Sequence, residues 1–340
     1  MRYTQIFDKN NIDYDIIYWN RHNINELVNC NNIYCYNNQF DETIPKIKKI
    51  KGYLRFANFA KNILITNKYD RVIIFGTVLG VFLYPFLRYK YDKKYILDIR
   101  DYSYENIKAF YYIERCLIRN SLGTIISSEG FKNFLPPHDY ILVHNILDWD
   151  NFDKFNQAKK VKTKKTINII YLGFVRFIEQ NKKLISKLAN DDRFHITYIG
   201  KNADKLEEFI AENNISNVTL NSRLLPEETM KHYLKADVIN NLYGNNKPEL
   251  DYALSNKLYH AAQLRIPILV CPNTFMQELS CKYNFGIIMD LDKDHVADEL
   301  YYEFNNINWK KLYKGCENFL EKVKADNLKF EKSLEQMIKI

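Results

Sequence analysis

Short apolar runs alternate with amphipathic stretches of about a dozen residues along most of the chain. In the first half the apolar runs predict strands at IDYDIIYW (12–19), 71–77, 94–100, 123–128 and 140–146. The stretches between them predict helices at 46–67, 77–88 and 105–120, and the first ten residues also have a helical pattern. Because the strands are apolar nearly throughout, we expect parallel sheets with helices on both faces.

A polar, basic segment without periodicity, 153–165, predicts a linker between this half and a second one. The alternation then restarts, with strands predicted at 167–173, 194–200, 218–224, 236–243 and 266–271, and with helices following 173, at 203–213, from Glu227 and from Ser255. We therefore predict an α/β fold of two Rossmann-like, doubly wound parallel-sheet domains that face a cleft, at 1–152 and 166–318, and a C-terminal helix at 319–340. Ligands of such sheets bind outside the carboxyl ends of the strands, which makes the cleft the expected binding site.

Composition narrows the class of protein. Of the 340 residues, 46% are hydrophobic and 26% are charged, as in soluble globular proteins, which excludes a disordered or collagen-like chain. Ten glycines and eight prolines are too few for a turn-rich all-β protein. The longest apolar run, Val72 to Leu87, is shorter than the roughly 20 residues that span a bilayer. The six cysteines form no CxxC pair and no signal-peptide pattern is present, so we expect reduced thiols in a cytoplasmic protein.

Positive charge is concentrated in one segment. The net charge is +8, but residues 46–94 alone hold twelve Lys and Arg against two Asp. Such a field attracts anionic lipid, nucleic acid or phosphorylated substrates, and a solvated helix face is the alternative. The segment has no nucleic-acid recognition module, so we expect no nucleic-acid partner. Its aromatic residues would suit a membrane interface, although some of them must instead belong to the core; they are Tyr53, Phe56, Phe59, Phe82, Tyr84 and Phe86.

Three segments could carry chemistry. In INIIYLGFVR, a strand ends at Gly173, and Arg176 in the following turn, with Lys182 beyond it, could bind a diphosphate; the alternative is an exposed arginine beside a surface helix. In ALSNKLYHAA, Ser255 is a plausible helix N-cap. Asn256 and Lys257 would then lie in a first turn whose free N–H groups favour phosphate, although an ordinary capped helix shows the same pattern.

The third segment, YILDIRDYSYE, ends a strand with polar residues. Asp98, Arg100 and Asp101 could project into the cleft, where a carboxylate could orient or deprotonate an acceptor hydroxyl. Equally, Arg100 and Asp101 could pair only with each other. His144, which also ends a strand, could be either a cleft residue or part of the packing.

Together these segments, in this order, resemble the family 4 glycosyltransferases of the GT-B fold, in particular bacterial capsule and exopolysaccharide enzymes. The matching segments are LDIRDYS, IISSEGF, VHNILDWDNF, IIYLGFVR, ITYIG, SRLLPEETMKHY, ADVINNLY and SNKLYHAAQLRIPILV. Each is weak alone, but the ordered set covers nearly the whole chain with the spacing of the family.

The resemblance implies a nucleoside-diphosphate sugar as the donor substrate, held mainly by the C-terminal domain, with no cofactor and no metal. Gly173 and Arg176 would face the diphosphate, with Lys182 as a helper. Arg223 to Leu225 would frame the nucleobase, and the Ser255, Asn256 and Lys257 helix start would face phosphate and sugar. The acceptor, a saccharide on a polyprenyl pyrophosphate, would lie near Arg100, Asp101 and Glu129. Family members retain the anomeric configuration. They usually need no metal, because cationic side chains and a helix dipole stabilise the leaving diphosphate.

The chain departs from the family pattern in two places. Two glutamates with seven residues between them are usual, but here Tyr252 and His260 occupy their positions, with Glu249 and Asp251 out of register. Arg265 replaces the usual glycine. His260 could still form one hydrogen bond to the ribose. In addition, Met1 falls inside the first helix, so the first strand of the N-terminal sheet is expected to be missing.

Two functions follow from these observations. The leading hypothesis is a cytoplasmic, retaining glycosyltransferase of surface-polysaccharide biosynthesis that contacts the inner leaflet of the plasma membrane through 46–94. The alternative is a GT-B-fold protein that no longer transfers sugar and serves as a scaffold for an active enzyme, which His260, Tyr252 and the missing strand would favour.

Overall fold

In a computed structural model of the chain, residues 2–21, 30–39, 46–146, 165–225 and 228–339 are described. The chain divides into two compact units, Met1–Leu147 with Asp326–Ile340, and Asp148–Ala325. The predicted linker, apart from residue 165, and Glu227 lie outside the described residues. The predicted boundaries at 152, 166 and 318 stay predictions.

The first unit contains parallel strands flanked by helices. Its strands are β1 (Asp15–Asn20), β2 (Asn32–Asn37), β3 (Val72–Phe75), β4 (Tyr95–Ile99), β5 (Gly123–Ile126) and β6 (Tyr140–Leu142). Its helices include α1 (Arg2–Lys9), α2 (Lys46–Asn67), α3 (Thr77–Lys90) and α4 (Lys108–Asn120). β1 and β2 form one sheet, and the other strands form a second sheet in the order β3-β4-β5-β6.

The far edge of β3 is not paired with β1 in the described part of the chain. The backbone N–H groups of Val72 and Gly76 donate to Lys94 and Asp98, towards β4. The backbone N–H groups of the alternating residues Ile73 and Phe75 therefore point towards the opposite edge of β3. Phe75 is 50% exposed. The helix expected at the start of the chain is α1 (Arg2–Lys9).

The second unit contains one six-stranded parallel sheet. Its strands are β7 (Ile167–Leu172), β8 (Phe194–Ile199), β9 (Val218–Asn221), β10 (Val238–Asn240), β11 (Ile268–Val270) and β12 (Gly286–Ile288). Their order is β12-β11-β10-β7-β8-β9, so the winding reverses between β7 and β10. The helices include α5 (Ile178–Lys187), α6 (Glu207–Glu212), α7 (Thr229–Tyr233), α8 (Pro248–Asp251), α9 (Asn256–Leu264), α10 (Phe275–Lys282) and α11 (Val296–Asn305).

A long C-terminal helix, α12 (Trp309–Ile338), contributes to both units. Phe319, near its start, packs against Tyr259 and Phe285 of the second unit. Phe330 and Leu334 join the core of the first unit. The helix therefore begins at Trp309, upstream of the predicted start at 319.

The predicted α/β class with parallel sheets is confirmed, whereas β2, β12, α10 and α11 were not predicted. The aromatic residues proposed for a membrane interface are largely used in packing. Phe56 is buried and packs on Trp19, so it belongs to the core, and Phe59 packs on Tyr36. No described helix is both long and apolar enough to cross a membrane.

Candidate functional site

The candidate site begins where the winding of the second sheet reverses, at the carboxyl ends of β7 and β10. Gly173 follows β7 with a φ of +109°, a conformation that residues with a side chain rarely adopt. Gly200 follows β8, and a Cβ atom built on it would lie 2.1 Å from the Gly173 carbonyl oxygen. The two glycines therefore let the segments that follow β7 and β8 pack backbone to backbone. This contact sets the position of the turn that leads into α5.

Two cations lie beside this turn. The Arg176 guanidinium is 5.1 Å from the centre of the Phe174 ring, and the Lys201 ammonium is 5.6 Å from the same ring. The backbone at Arg176 is fixed, because Asn181 donates a hydrogen bond to its carbonyl oxygen at 2.7 Å. Both cations are exposed, and neither forms an ion pair within the part of the chain that the structure describes. Their charge is therefore available to an anionic ligand.

The N-terminus of α9 lies beside Tyr171 of β7 and Tyr243, which follows β10. As predicted, Ser255 caps the helix, with its Oγ accepting from the Lys257 N–H at 3.1 Å. Lys257 is only 6% exposed, and its ammonium donates to the Tyr243 hydroxyl at 2.7 Å. The same ammonium lies 4.0 Å from the centre of the Tyr171 ring. Asn256, the first residue of α9, is exposed.

The pKa values show that the charges of this cluster interact. Burial lowers the pKa of Lys257, and the nearby Arg176 charge lowers it further, while Tyr243 opposes the change. Burial would raise the pKa of Tyr243, but the Lys257 ammonium outweighs that effect and lowers it. The Arg176 charge therefore acts on the Lys257 ammonium, and the binding of one ligand by both stays a prediction.

A cavity of about 450 Å³ adjoins the cluster within the second unit. Phe177 and Tyr243, whose ring centres are 5.1 Å apart, line it on the side of the cluster. The loops after β10, β11 and β12 supply other walls, including Asn245, Cys271 and Asp290. Amide and carboxylate groups beside aromatic rings can bind a polar ligand such as a sugar.

The other donor-side candidates are placed differently. Lys182 forms an ion pair with Glu179 at 3.2 Å and lies over the ring of Phe209, so its charge is partly compensated. Arg223 is exposed just after β9, and its N–H donates to the Asn221 side chain. Leu225 is half-buried in the same loop. Their predicted roles stay predictions.

His260 does not extend freely into the site. Its ring packs on Tyr233 at 5.4 Å, and its Nδ1 lies 3.2 Å from the Gln263 side-chain oxygen. Burial lowers the pKa of His260, which favours the neutral imidazole. Of the acidic residues out of register, Glu249 is exposed on α8 and Asp251 is half-buried.

In the first unit, the predicted acceptor-side residues follow β4 and β5. Arg100 forms a two-pronged ion pair with the fully buried Asp98, at 2.6 and 2.7 Å, and Tyr3 donates to the same carboxylate. Arg100 thus has Asp98 as a partner, so it does not pair only with Asp101. The Ser127 hydroxyl donates to the Arg100 carbonyl oxygen at 3.2 Å, which joins the two loops.

The remaining candidates of the first unit are more peripheral. Asp101 is exposed, and Glu129 is exposed and pairs with Lys132 at 3.5 Å. His144 is buried, with its Nε2 3.0 Å from Asp326 of α12, so it contributes to packing. Among the described residues, no group of three or more His, Cys, Asp or Glu could hold a metal ion.

Sequence reasoning missed Lys201, Tyr243 and Tyr171. Lys201 follows the glycine that ends β8, just as Arg176 follows the glycine after β7, and that parallel could have indicated it. Tyr171 and Tyr243 lie in apolar strand patterns, where a tyrosine is ordinarily part of the core. Only the spatial meeting of β7, β10 and α9 shows that both contact a buried ammonium.

The fold is similar to those of known glycosyltransferases. Sucrose-phosphate synthase from Thermosynechococcus elongatus matches with a TM-score of 0.72 and 13% identity, over 98% of this chain and 90% of that one. The UDP-forming α,α-trehalose-phosphate synthase from Burkholderia xenovorans matches with 0.62 and 8%, over 86% and 80%. HepE from Anabaena, in complex with UDP, matches with 0.57 and 13%, over 83% and 82%.

At these identities the similarity establishes the fold, which is GT-B. No protein-family model and no curated protein sequence matches the chain.

Proposed function

We propose that this protein is a glycosyltransferase that takes its sugar from a nucleoside diphosphate. The observation that carries the proposal is the meeting of Arg176, Lys257 and the capped N-terminus of α9 where the sheet reverses its winding. Helix N-termini and cations are the groups that bind phosphate. Proteins of the same fold include HepE, whose structures contain UDP and UDP-glucose.

The chemistry proposed for this site is stabilisation of the leaving diphosphate. As the bond between sugar and phosphate breaks, negative charge develops on the phosphate oxygens, and preorganised cations lower the energy of that state. Arg176 supplies a fork of donors, the first turn of α9 supplies free N–H groups, and Lys201 adds a further cation nearby. With these groups the proposed reaction needs no metal.

The finer features of the proposal come from the family resemblance. They are retention of the anomeric configuration, membership of family 4, and a role in capsule or exopolysaccharide synthesis. The acceptor would be a saccharide on a polyprenyl pyrophosphate, bound near Arg100, Asp101 and Glu129. Because Arg100 is held by Asp98, we assign it the positioning of the acceptor loop, and assign the acceptor hydroxyl to the exposed Asp101.

A specific observation favours a second function, that of an inactive scaffold. The family places a glutamate at position 260, whereas here a histidine packs on Tyr233 and contacts Gln263. A neutral imidazole so engaged offers a weaker partner for ribose hydroxyls than a carboxylate does. On this hypothesis the fold persists but the donor does not bind.

Calorimetric titration with UDP and other nucleoside diphosphates tests both functions. We expect binding by the wild type, and an affinity roughly tenfold weaker for Arg176→Ala, because a hydrogen bond to a charged group contributes about 1.5–3 kcal/mol. Arg193→Ala is the matched control, since Arg193 pairs with Asp191 at the opposite end of the strands. Equal losses of affinity in both variants would show that the diphosphate position assigned to Arg176 is wrong. If the wild type binds no nucleoside diphosphate, the scaffold function is supported.

A further inference from the structure

The buried ammonium of Lys257 has an unusual partner. Among the described residues its one hydrogen-bond partner is the hydroxyl of Tyr243, and two tyrosine rings cover it, with centres at 4.0 Å for Tyr171 and 5.1 Å for Tyr243. No carboxylate within the described ranges forms an ion pair with it. Buried lysines are rare and ordinarily pair with an acidic group.

The position of this lysine adds to the cost of its burial. Lys257 lies in the first turn of α9, where the helix dipole already presents positive charge and disfavours a cation. Arg176 adds like charge, since it lowers the pKa of Lys257. A neutral phenol satisfies one ammonium proton without cancelling the charge, whereas a carboxylate would cancel it. The arrangement therefore keeps a net positive charge beside the helix N-terminus.

We propose that Tyr243 is a positioning residue of the anion site, whose hydroxyl holds the Lys257 ammonium in place while leaving its positive charge for a bound diphosphate. This inference rests on the proposed donor site and assigns a role to a residue that the sequence analysis did not single out. Phe177 packs on the Tyr243 ring, which fixes the phenol from the side of the cavity.

The titration of the two groups reflects their contact. The groups that face the pair are Arg176 and the hydroxyls of Tyr171 and Ser255, with His260 close enough to feel the Lys257 charge. Despite burial, the ammonium lowers the pKa of the Tyr243 phenol, while the phenol opposes the lowering of the Lys257 pKa. Each partner thus favours the charged form of the other.

A pH dependence follows from the geometry. A diphosphate binds the ammonium form of Lys257, so affinity is full below the pKa of this lysine and is lost as the pH rises through it. Without the phenol, the buried ammonium loses its hydrogen bond and its pKa falls. The loss of affinity in Tyr243→Phe should therefore begin at a lower pH than in the wild type.

The first experiment requires no ligand. NMR titration of protein labelled with ¹³C at lysine Cε, with the signal assigned through Lys257→Met, measures the Lys257 pKa. We expect a lower pKa in Tyr243→Phe, which keeps the ring, and an unchanged one in Tyr198→Phe, which removes a buried hydroxyl from β8. Equal Lys257 pKa values in the wild type and Tyr243→Phe would overturn the inference whether or not any nucleotide binds.

The second experiment measures UDP affinity against pH for the same proteins. We expect Tyr243→Phe to bind roughly tenfold more weakly at neutral pH, with the ratio to wild type narrowing as the pH falls. Because the variant and the wild type are compared at the same pH, the titration of UDP itself affects both affinities equally. In the Lys257→Met background, Tyr243→Phe should have no further effect, because the pair acts as a unit.

The outcomes separate the two proposals. An additive loss in the double variant, or a ratio independent of pH, would show that Tyr243 acts only through packing. If the wild type binds no UDP while the Lys257 pKa shifts as expected, the interaction between Lys257 and Tyr243 is confirmed and the donor proposal fails.

Discussion

At the scale of single residues, the first unit contains two buried carboxyl groups whose charges interact. Glu114 on α4 is fully buried, and Glu105, in the loop after β4, is 8% exposed. Burial, together with the neighbouring Glu105 carboxylate, raises the pKa of Glu114 to about 8. The Ser103 N–H donates to Glu105 at 2.6 Å, so this pair joins the proposed acceptor loop to α4.

This pair predicts a pH-dependent stability. In the folded state Glu114 keeps a proton that the unfolded chain releases above its ordinary pKa of 4.5, so the free energy of unfolding should fall as the pH rises from 4.5 towards about 8. Glu114→Gln should flatten this dependence. Urea unfolding across the interval measures it, with the exposed Glu208→Gln as the control; equal slopes in the wild type and Glu114→Gln would contradict the assignment.

At the scale of elements, α2 combines exposed apolar residues with exposed cations. Ile50 and Leu54, one helical turn apart, are 47% and 43% exposed, and Ile65 is 52% exposed. Lys48, Lys51, Arg55 and Lys61 are exposed on the same helix. We therefore expect this face of α2, with the other exposed cations of 46–94, to be the surface that contacts an anionic bilayer. The aromatic side chains first considered for that role are buried or half-buried.

We expect the protein to sediment with anionic liposomes, and Ile50→Ser with Leu54→Ser to weaken that binding. Each basic residue near such a surface contributes about 1 kcal/mol, so binding should also fall as salt rises. Tyr302→Ser, which removes a 68% exposed aromatic from α11, is the control. Binding that is indifferent to lipid charge and salt would contradict a membrane role for α2.

At the scale of the whole molecule, α12 links the cores of both units. Phe319 packs against Tyr259, Tyr283 and Phe285 in the second unit. Phe330 packs against Tyr3 in the first unit, where Asp326 also contacts His144. One helix thus contains two matched, fully buried phenylalanines, each in a different core.

These two residues allow each unit to be destabilised separately. Phe330→Ala should cost about 3–5 kcal/mol in the first unit, and Phe319→Ala a similar amount in the second. Hydrogen exchange should then quicken in β4 and β5 for Phe330→Ala, and in β7 and β10 for Phe319→Ala. UDP binding should survive Phe330→Ala better than Phe319→Ala. Equal acceleration in both sheets from either variant would show that the chain unfolds as one unit.

The local pattern determined much of this protein. Apolar runs between helical stretches were enough to predict the parallel α/β class, because strands covered on both faces must be apolar throughout. Ser255 was predicted as an N-cap from its residue type, since capping depends on a side chain and the N–H two residues on. The short strands β2 and β12 were missed, because so few residues carry little periodicity.

Only the tertiary structure decided how the charges are paired. Arg100 bonds the buried Asp98, because these two side chains, two residues apart on an extended chain, point the same way. Lys257 meets Tyr243 and Tyr171 because β7 and β10 are neighbours in the sheet, although they are far apart in the chain. The sequence alone thus determined which groups could bind an anion, whereas the order of the strands decided which of them meet, since non-local contacts depend on topology and leave no periodic signal.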